Sequence, residues 1–124
     1  MTMEDSDLAE LIHKLRHEVI WKPKAAARHL LKRKLRGHLS ADATLADYEV
    51  TIRQLLETID ASIYVYYTDA TSYISIAAWL DGRLWLVIAT MEGVLETAFV
   101  VDNPDTYLER EAFQYVGKLG EVIK

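Results

Sequence analysis

His29 and Arg33 stand four residues apart in the run Arg28-His29-Leu30-Leu31-Lys32-Arg33, so on a helix they project from the same face. Imidazole titrates near neutral pH and can move a proton, while a guanidinium can hold two phosphate oxygens at once. Lys32 and Arg36 flank the pair, and His38 follows just beyond Gly37. A base, an acid and cationic side chains in one group suit cleavage of RNA by its own 2′-hydroxyl. That reaction passes through a phosphorane-like state and needs neither a cysteine nor a metal ion. The same spacing also fits a solvated helix with its leucines turned inward and its charges in water.

The surrounding composition is uneven. The chain has 124 residues and a net charge of −5, yet residues 1–40 hold nine basic against five acidic side chains, and residues 41–124 hold five against 14. Between Lys22 and His38 lie seven basic residues (Lys22, Lys24, Arg28, Lys32, Arg33, Lys34 and Arg36) and no acid. Such a block can attract phosphate, because neutralising phosphates releases counterions, but a solvated helix face looks the same in sequence.

Other groupings carry less. His13 and His17 have the spacing of a zinc-binding pair, but no Glu follows His13 as in a zincin and no third ligand presents itself, so surface histidines and no metal are expected. There is no cysteine, which excludes disulfides, thiolate metal sites and cysteine nucleophiles. No glycine-rich phosphate loop, nucleophile elbow or dinucleotide fingerprint occurs, so no cofactor is expected. Tyr64, Tyr66, Tyr67, Tyr73, Trp79 and Trp85 crowd one stretch of chain; they can stack on bases, or pair across strands in a core. Thr97 is a polar residue amid apolar neighbours, where its hydroxyl needs a partner.

These residues must be positioned by one compact domain spanning 1–124, since the length suits a single core and 51% of residues are apolar or aromatic. No apolar run is long enough for a membrane helix. The acidic start, Met1-Thr2-Met3-Glu4-Asp5, has no charged-then-apolar leader, which makes a cytoplasmic location the default expectation. A first helix follows from Leu8, Leu11, Ile12 and Leu15, capped by Asp5 or Ser6. Residues 18–21 can extend it or form a short strand. Pro23 predicts the start of a second helix with Leu30, Leu31 and Leu35 as its apolar stripe and Gly37 as its C-terminal cap. Ser40 or Asp42 can cap a third helix, with Leu45, Tyr48, Ile52, Leu55, Leu56 and Ile59 at helical spacing.

After Asp60 the period changes. Residues 63–68, 73–80, 84–90 and 94–101 are rich in β-branched and aromatic side chains and predict about four strands. Two-residue turns at Asp81-Gly82 and Glu92-Gly93 predict an antiparallel meander in which Ala77 faces Leu86 and Ile88 faces Thr97. Leu84, Leu86, Ile88, Leu95, Phe99 and Val101 then share one sheet face, and Ile74, Ile76, Leu80, Trp85, Val87 and Val100 the other. Two apolar faces call for helices on both sides or for a second subunit. Asn103-Pro104-Asp105 predicts a final helix over about 105–117. The expected class is α+β, with N-terminal helices, an antiparallel sheet and a C-terminal helix.

A basic helix reading Arg28-His29-Leu30-Leu31-Lys32-Arg33, an amphipathic helix, and a meander whose last strand reads Glu96-Thr97-Ala98-Phe99 together resemble the barnase, EndoU, colicin and RelE superfamily of small nucleases, its phage-associated and toxin-like branches above all. The resemblance covers about residues 18–103. It implies a metal-independent endoribonuclease with early-helix and sheet residues lining one RNA cleft. His29 would transfer the proton, Arg33 would clamp phosphate and Thr97 would make a polar contact from the sheet. Relatives often place a His directly after the helix Arg; Lys34 stands there in this chain, which leaves His38 as the second acid or base. Lys22, Lys24, Arg28, Lys32, Lys34 and Arg36 would contact RNA, and a cognate inhibitor protein is a further expected partner. The alternative is a non-catalytic, dimeric interaction module that uses the second apolar sheet face or the basic helix to hold a protein or nucleic acid.

Overall fold

The computed structural model describes residues 5–109 and 113–123. Three helices, α1 (Asp5–His17), α2 (Ala25–Leu35) and α3 (Leu45–Leu56), precede β1 (Ser62–Tyr67), β2 (Ser72–Leu80), β3 (Arg83–Thr90) and β4 (Leu95–Val100). A 3₁₀ turn (Tyr107–Glu109), β5 (Phe113–Lys118) and a one-turn helix α4 (Leu119–Val122) complete an α+β chain. The sheet is antiparallel in the order β4-β3-β2-β1-β5. No helix among the described residues is long and apolar enough to cross a membrane.

The apolar periodicities place most of the core. Leu8, Leu11, Ile12 and Leu15 of α1 and Tyr48, Ile52, Leu55 and Leu56 of α3 pack on Ile63, Ile74, Ile76, Trp85 and Val87 of the sheet. α3 starts from a capping box between Thr44 and Asp47, not from Ser40 or Asp42, which instead bond to each other one turn earlier. Thr44 wins because only its spacing to Asp47 satisfies two orphan backbone donors reciprocally. Leu45 and Ile59 end up exposed.

Asp81 and Gly82 both take positive φ, 52° and 77°, as the two-residue hairpin requires, and Ala77 pairs with Leu86. The next hairpin corrects the expected turn. Thr90 N–H bonds Val94 O at 2.8 Å across a three-residue loop, Met91-Glu92-Gly93, and a bulge shifts the register between Ile88 and Ala89. The extra loop residue and the extra bulge residue cancel, so Ile88 faces Thr97 as expected. The bulge also turns Leu95 to the helix side of the sheet, where it joins the larger core.

Two further expectations are corrected. β5 forms within the stretch expected to be helical and pairs antiparallel with β1, making five strands instead of four; residues 110–112 of that stretch lie outside the described residues. The pairing satisfies the backbone of β1, which would otherwise be an exposed edge. Among the described residues, the apolar stripes of α1 and α3 pack on one sheet face. On the other face, Ala77, Leu84, Leu86, Val101 and Phe113 form a second cluster against which Tyr107 and Leu108 pack, so the chain's own 3₁₀ turn supplies much of that cover.

Candidate functional site

α2 lies along the free edge of β4, tethered at both ends. Ahead of it, Lys22 N–H donates to Leu95 O at 3.0 Å and Leu95 N–H to Ile20 O at 2.6 Å, so residues 20–22 run as a short parallel bridge on β4. Pro23 does not open the helix. Lys24 takes a left-handed φ of 67°, the turn this bridge requires, and α2 begins at Ala25.

At its other end Gly37, at φ 72°, closes a double-bonded cap: His38 N–H donates to Arg33 O at 2.8 Å and Gly37 N–H to Lys34 O at 3.1 Å. This 6→1 and 5→2 pattern needs a left-handed residue at the glycine. It folds the chain back so that His38 stands over Arg33.

The two tethers set the rotation of α2, and the result inverts the expected stripe. Ala25, His29 and Arg33, spaced by four, face β4. Arg33 is only 4% exposed, whereas Leu31 and Leu35 are 57% and 77% exposed. Leu30 alone of the three leucines packs, partly buried, against the core. Ala25, fully buried, has no bulk to hold the helix off the strand.

His29, Arg33, His38 and Thr97 therefore meet at one edge. His29 Nδ1 is 3.2 Å from Thr97 Oγ1. Arg33 Nη1 is 3.1 Å from His38 Nδ1, which also accepts the Val100 N–H at 3.3 Å. Both of those donors are obligatory, so the lone pair of His38 lies on Nδ1 and its proton on Nε2. The Arg33 guanidinium carbon sits 5.6 Å from the centre of the Phe99 ring, a cation–π distance. Arg83, first residue of β3, reaches His38 O at 3.4 Å.

No family model, curated protein or solved structure matches this chain. The site is therefore read from its own geometry.

Its electrostatics are those of a partly buried cationic cluster. Burial lowers the pKa of His29, and Arg28, Arg33 and Lys32 add to the effect against an opposing Glu96. His38 is held down to about 4, by burial first and then by Arg33 and Arg83, with Asp102 opposing. Both imidazoles are thus neutral near pH 7. Burial also lowers the pKa of Arg33, but a guanidinium stays charged in any accessible range.

Among the described residues no carboxylate lies within ion-pair distance of Arg33; the one ion pair near the site joins Lys22 to Glu96 at 3.4 Å. Arg33 Nε is buried without a hydrogen-bond partner, and so is Ser75 Oγ. Ser75 shares with Thr97 a cross-strand row that runs Thr97, Ile88, Ser75, Tyr64, Tyr115. A buried charge whose partner is a neutral imidazole is costly, and it leaves surplus positive potential where an anion would be favoured.

The cationic block divides. Arg28 and Lys32 act on His29, and Arg36 acts on His38. Lys22 is engaged by Glu96, Lys34 acts on Asp42 away from the site, and Lys24 is exposed in the turn before α2. His13 and His17 are exposed, and no cluster of three His, Cys, Asp or Glu suited to a metal ion occurs among the described residues.

Tyr48, Phe99 and Arg83 belong to the site although their spacing does not announce them. Tyr48 is fully buried on α3; its hydroxyl donates to Ala98 O and accepts the Ala98 N–H at 3.2 Å. A tyrosine in a buried helical stripe must find such a partner, which is the one signal of it in the sequence.

Proposed function

We propose that this chain is a small endoribonuclease acting without a metal ion, which cuts RNA at the α2–β4 edge through attack of the RNA's own 2′-hydroxyl. On this reading it is a divergent member of the barnase, EndoU, colicin and RelE superfamily. The observation that supports it is the rotation of α2, which turns His29 and Arg33 against the sheet beside Thr97 and leaves two leucines in water. Burial alone favours the reverse: each leucine side chain contributes about 2 kcal/mol when buried, and a buried guanidinium with no carboxylate partner costs more than it contributes.

Half-buried and neutral near pH 7, His29 takes the proton of the 2′-hydroxyl. The 2′-oxygen bonds to phosphorus, the bond to the 5′-oxygen breaks, and that oxygen leaves with a proton from water, giving a 2′,3′-cyclic phosphate. Arg33, nearly sealed and bonded to His38, supplies positive potential from behind the reacting phosphate. Arg28, Lys32, Arg36 and Arg83 hold the flanking backbone. His38, neutral and with Nδ1 engaged by two donors, holds Arg33 in place. An acidic inhibitor protein would cover the same cationic face.

The test is incubation of the purified protein with a mixed pool of tRNA, rRNA and mRNA in the presence of chelator, beside His29→Ala and Arg33→Ala. Discrete cuts ending in 2′,3′-cyclic phosphate, lost in both variants, are expected. Intact RNA beside a folded protein defeats the proposal and favours the second reading, a non-catalytic, dimeric interaction module. One observation favours that reading: Leu31 and Leu35, four apart and exposed, form an apolar strip on the outer face of α2. Sedimentation of the protein beside a Leu31→Ser, Leu35→Ser double variant measures it directly.

A further inference from the structure

We propose that the outer face of α2 is a docking ridge for a membrane surface carrying anionic lipid, a role independent of the nuclease reading. The rotation that turns Ala25, His29 and Arg33 against β4 leaves Ala27, Leu31 and Leu35, also spaced by four, on the opposite side of the helix. Leu31 and Leu35 are 57% and 77% exposed, so the strip faces solvent. Cations border it on both sides. At about 100° per helical residue, Arg28 and Lys34 fall about 60° to either side of Leu31. Lys32 lies beyond Arg28, and Lys24 is exposed at the start of the helix. Among the described residues none of these four makes an ion pair; the one salt bridge of the basic block belongs to Lys22. No acidic residue occurs between Lys22 and His38.

The two features together choose the occupant. The leucines gain by leaving water and the flanking cations gain from anions, so the surface that suits the ridge is negative outside and apolar beneath. A nucleic-acid backbone offers the charge and nothing for the leucines. A second copy seated helix on helix offers leucines but sets Arg28 and Lys34 against the same cations. A protein partner needs about 800 Å² of contact on each side, whereas a ridge of 11 residues is only about 16 Å long and about 10 Å wide. A bilayer interface needs no matching groove. Long Lys and Arg stems let their charged ends stay among the headgroups while the leucines enter. Residues 41–124, with five basic and 14 acidic side chains, are repelled by the same surface, which orients the chain with α2 toward the lipid.

The experiment is co-sedimentation of the purified full chain with vesicles of phosphatidylcholine alone and of phosphatidylcholine and phosphatidylglycerol in equal parts. Binding is expected to the mixed vesicles only. It should be lost when salt rises from about 0.1 M to about 1 M, which shortens the screening length from about 10 Å to about 3 Å. The Leu31→Ser, Leu35→Ser double variant should bind about tenfold more weakly, and Lys24→Gln and Lys34→Gln about fivefold each. RNA cleavage by the leucine variant should be unchanged. A chain that binds vesicles as expected and leaves RNA intact therefore defeats the nuclease reading alone.

A single-cysteine probe localises the contact. The chain has no cysteine of its own, so a polarity-sensitive dye on Leu35→Cys reports the ridge. The same dye on Tyr115→Cys, exposed on β5 at the opposite edge of the sheet, serves as the reference. Emission should shift to the blue on mixed vesicles at position 35 and stay unchanged at position 115. Equal sedimentation with both vesicle types, binding unmoved by the leucine substitutions, or a shift absent at position 35 or present at both overturns the proposal. So does self-association of the free chain that the leucine variant abolishes, since that result seats a second copy on the strip.

Discussion

His38 should make this protein acid-labile in a way that one substitution removes. Its Nδ1 accepts from both Arg33 and the Val100 N–H, so a proton there must displace two donors and set an imidazolium beside a guanidinium. Burial first, and then the Arg33 and Arg83 charges, hold His38 down to about 4 in the folded chain, against 6.5 for the free side chain. Between those values the unfolded chain holds a proton that the folded chain lacks. Stability from this group is complete above the unfolded pKa and is lost as pH falls toward the folded one. Integrating a shift of that size from pH 7 to about pH 4.5 gives a loss of roughly 2 kcal/mol.

Asparagine is the informative replacement, because its Oδ1 can stand where Nδ1 stood and accept from the same donors without titrating. Urea unfolding of the wild type and His38→Asn across this range should show the wild type losing about 2 kcal/mol more than the variant. Carboxylates titrate alike in both chains and cancel in the difference. A difference constant to within about 0.5 kcal/mol across the range would refute the depressed titration of His38 in the folded chain.

Two further outcomes test how α2 is held. Gly37→Ala meets no steric neighbour, so its cost should be the left-handed backbone alone, about 1 kcal/mol in urea unfolding; a loss several times larger would mean that the cap bears more than local strain. Leu35→Ser should change stability by no more than about 0.5 kcal/mol because the side chain is exposed, whereas Leu55→Ala in the core should cost about 2–5 kcal/mol. Equal losses at the two leucines would place α2 in a different rotation.

The sequence pattern is a good guide where one periodicity has one reading. α1 and α3 carry stripes too regular to be buried any other way, and the four strands of the meander follow from β-branched runs punctuated by turn residues. Asp81-Gly82 specifies its hairpin because two successive positive φ values leave few alternatives. The later hairpin reaches its expected register by another route, since a three-residue loop with a bulge and a two-residue turn without one align the same residues. Phe113–Lys118 is a strand although Gly117 and a helix-compatible run suggest otherwise, because an unpaired edge of β1 outweighs weak local preference.

By itself, then, the sequence determined the α+β class and the helix-side core, and it named His29, Arg33, His38 and Thr97 as candidates, which the fold brings to one edge. Tertiary structure alone decided which face of α2 turns inward. Spacing assigns Leu31 and Leu35 to one side and His29 and Arg33 to another, but the choice between them is made by the parallel bridge at residues 20–22 and the cap at Gly37. Both are backbone contacts with partners far from α2 or just beyond its end, and helical periodicity carries no trace of them. Tyr48 lay equally out of reach: a buried tyrosine announces that its hydroxyl needs a partner, and only the fold shows that the partner is the backbone beside Thr97.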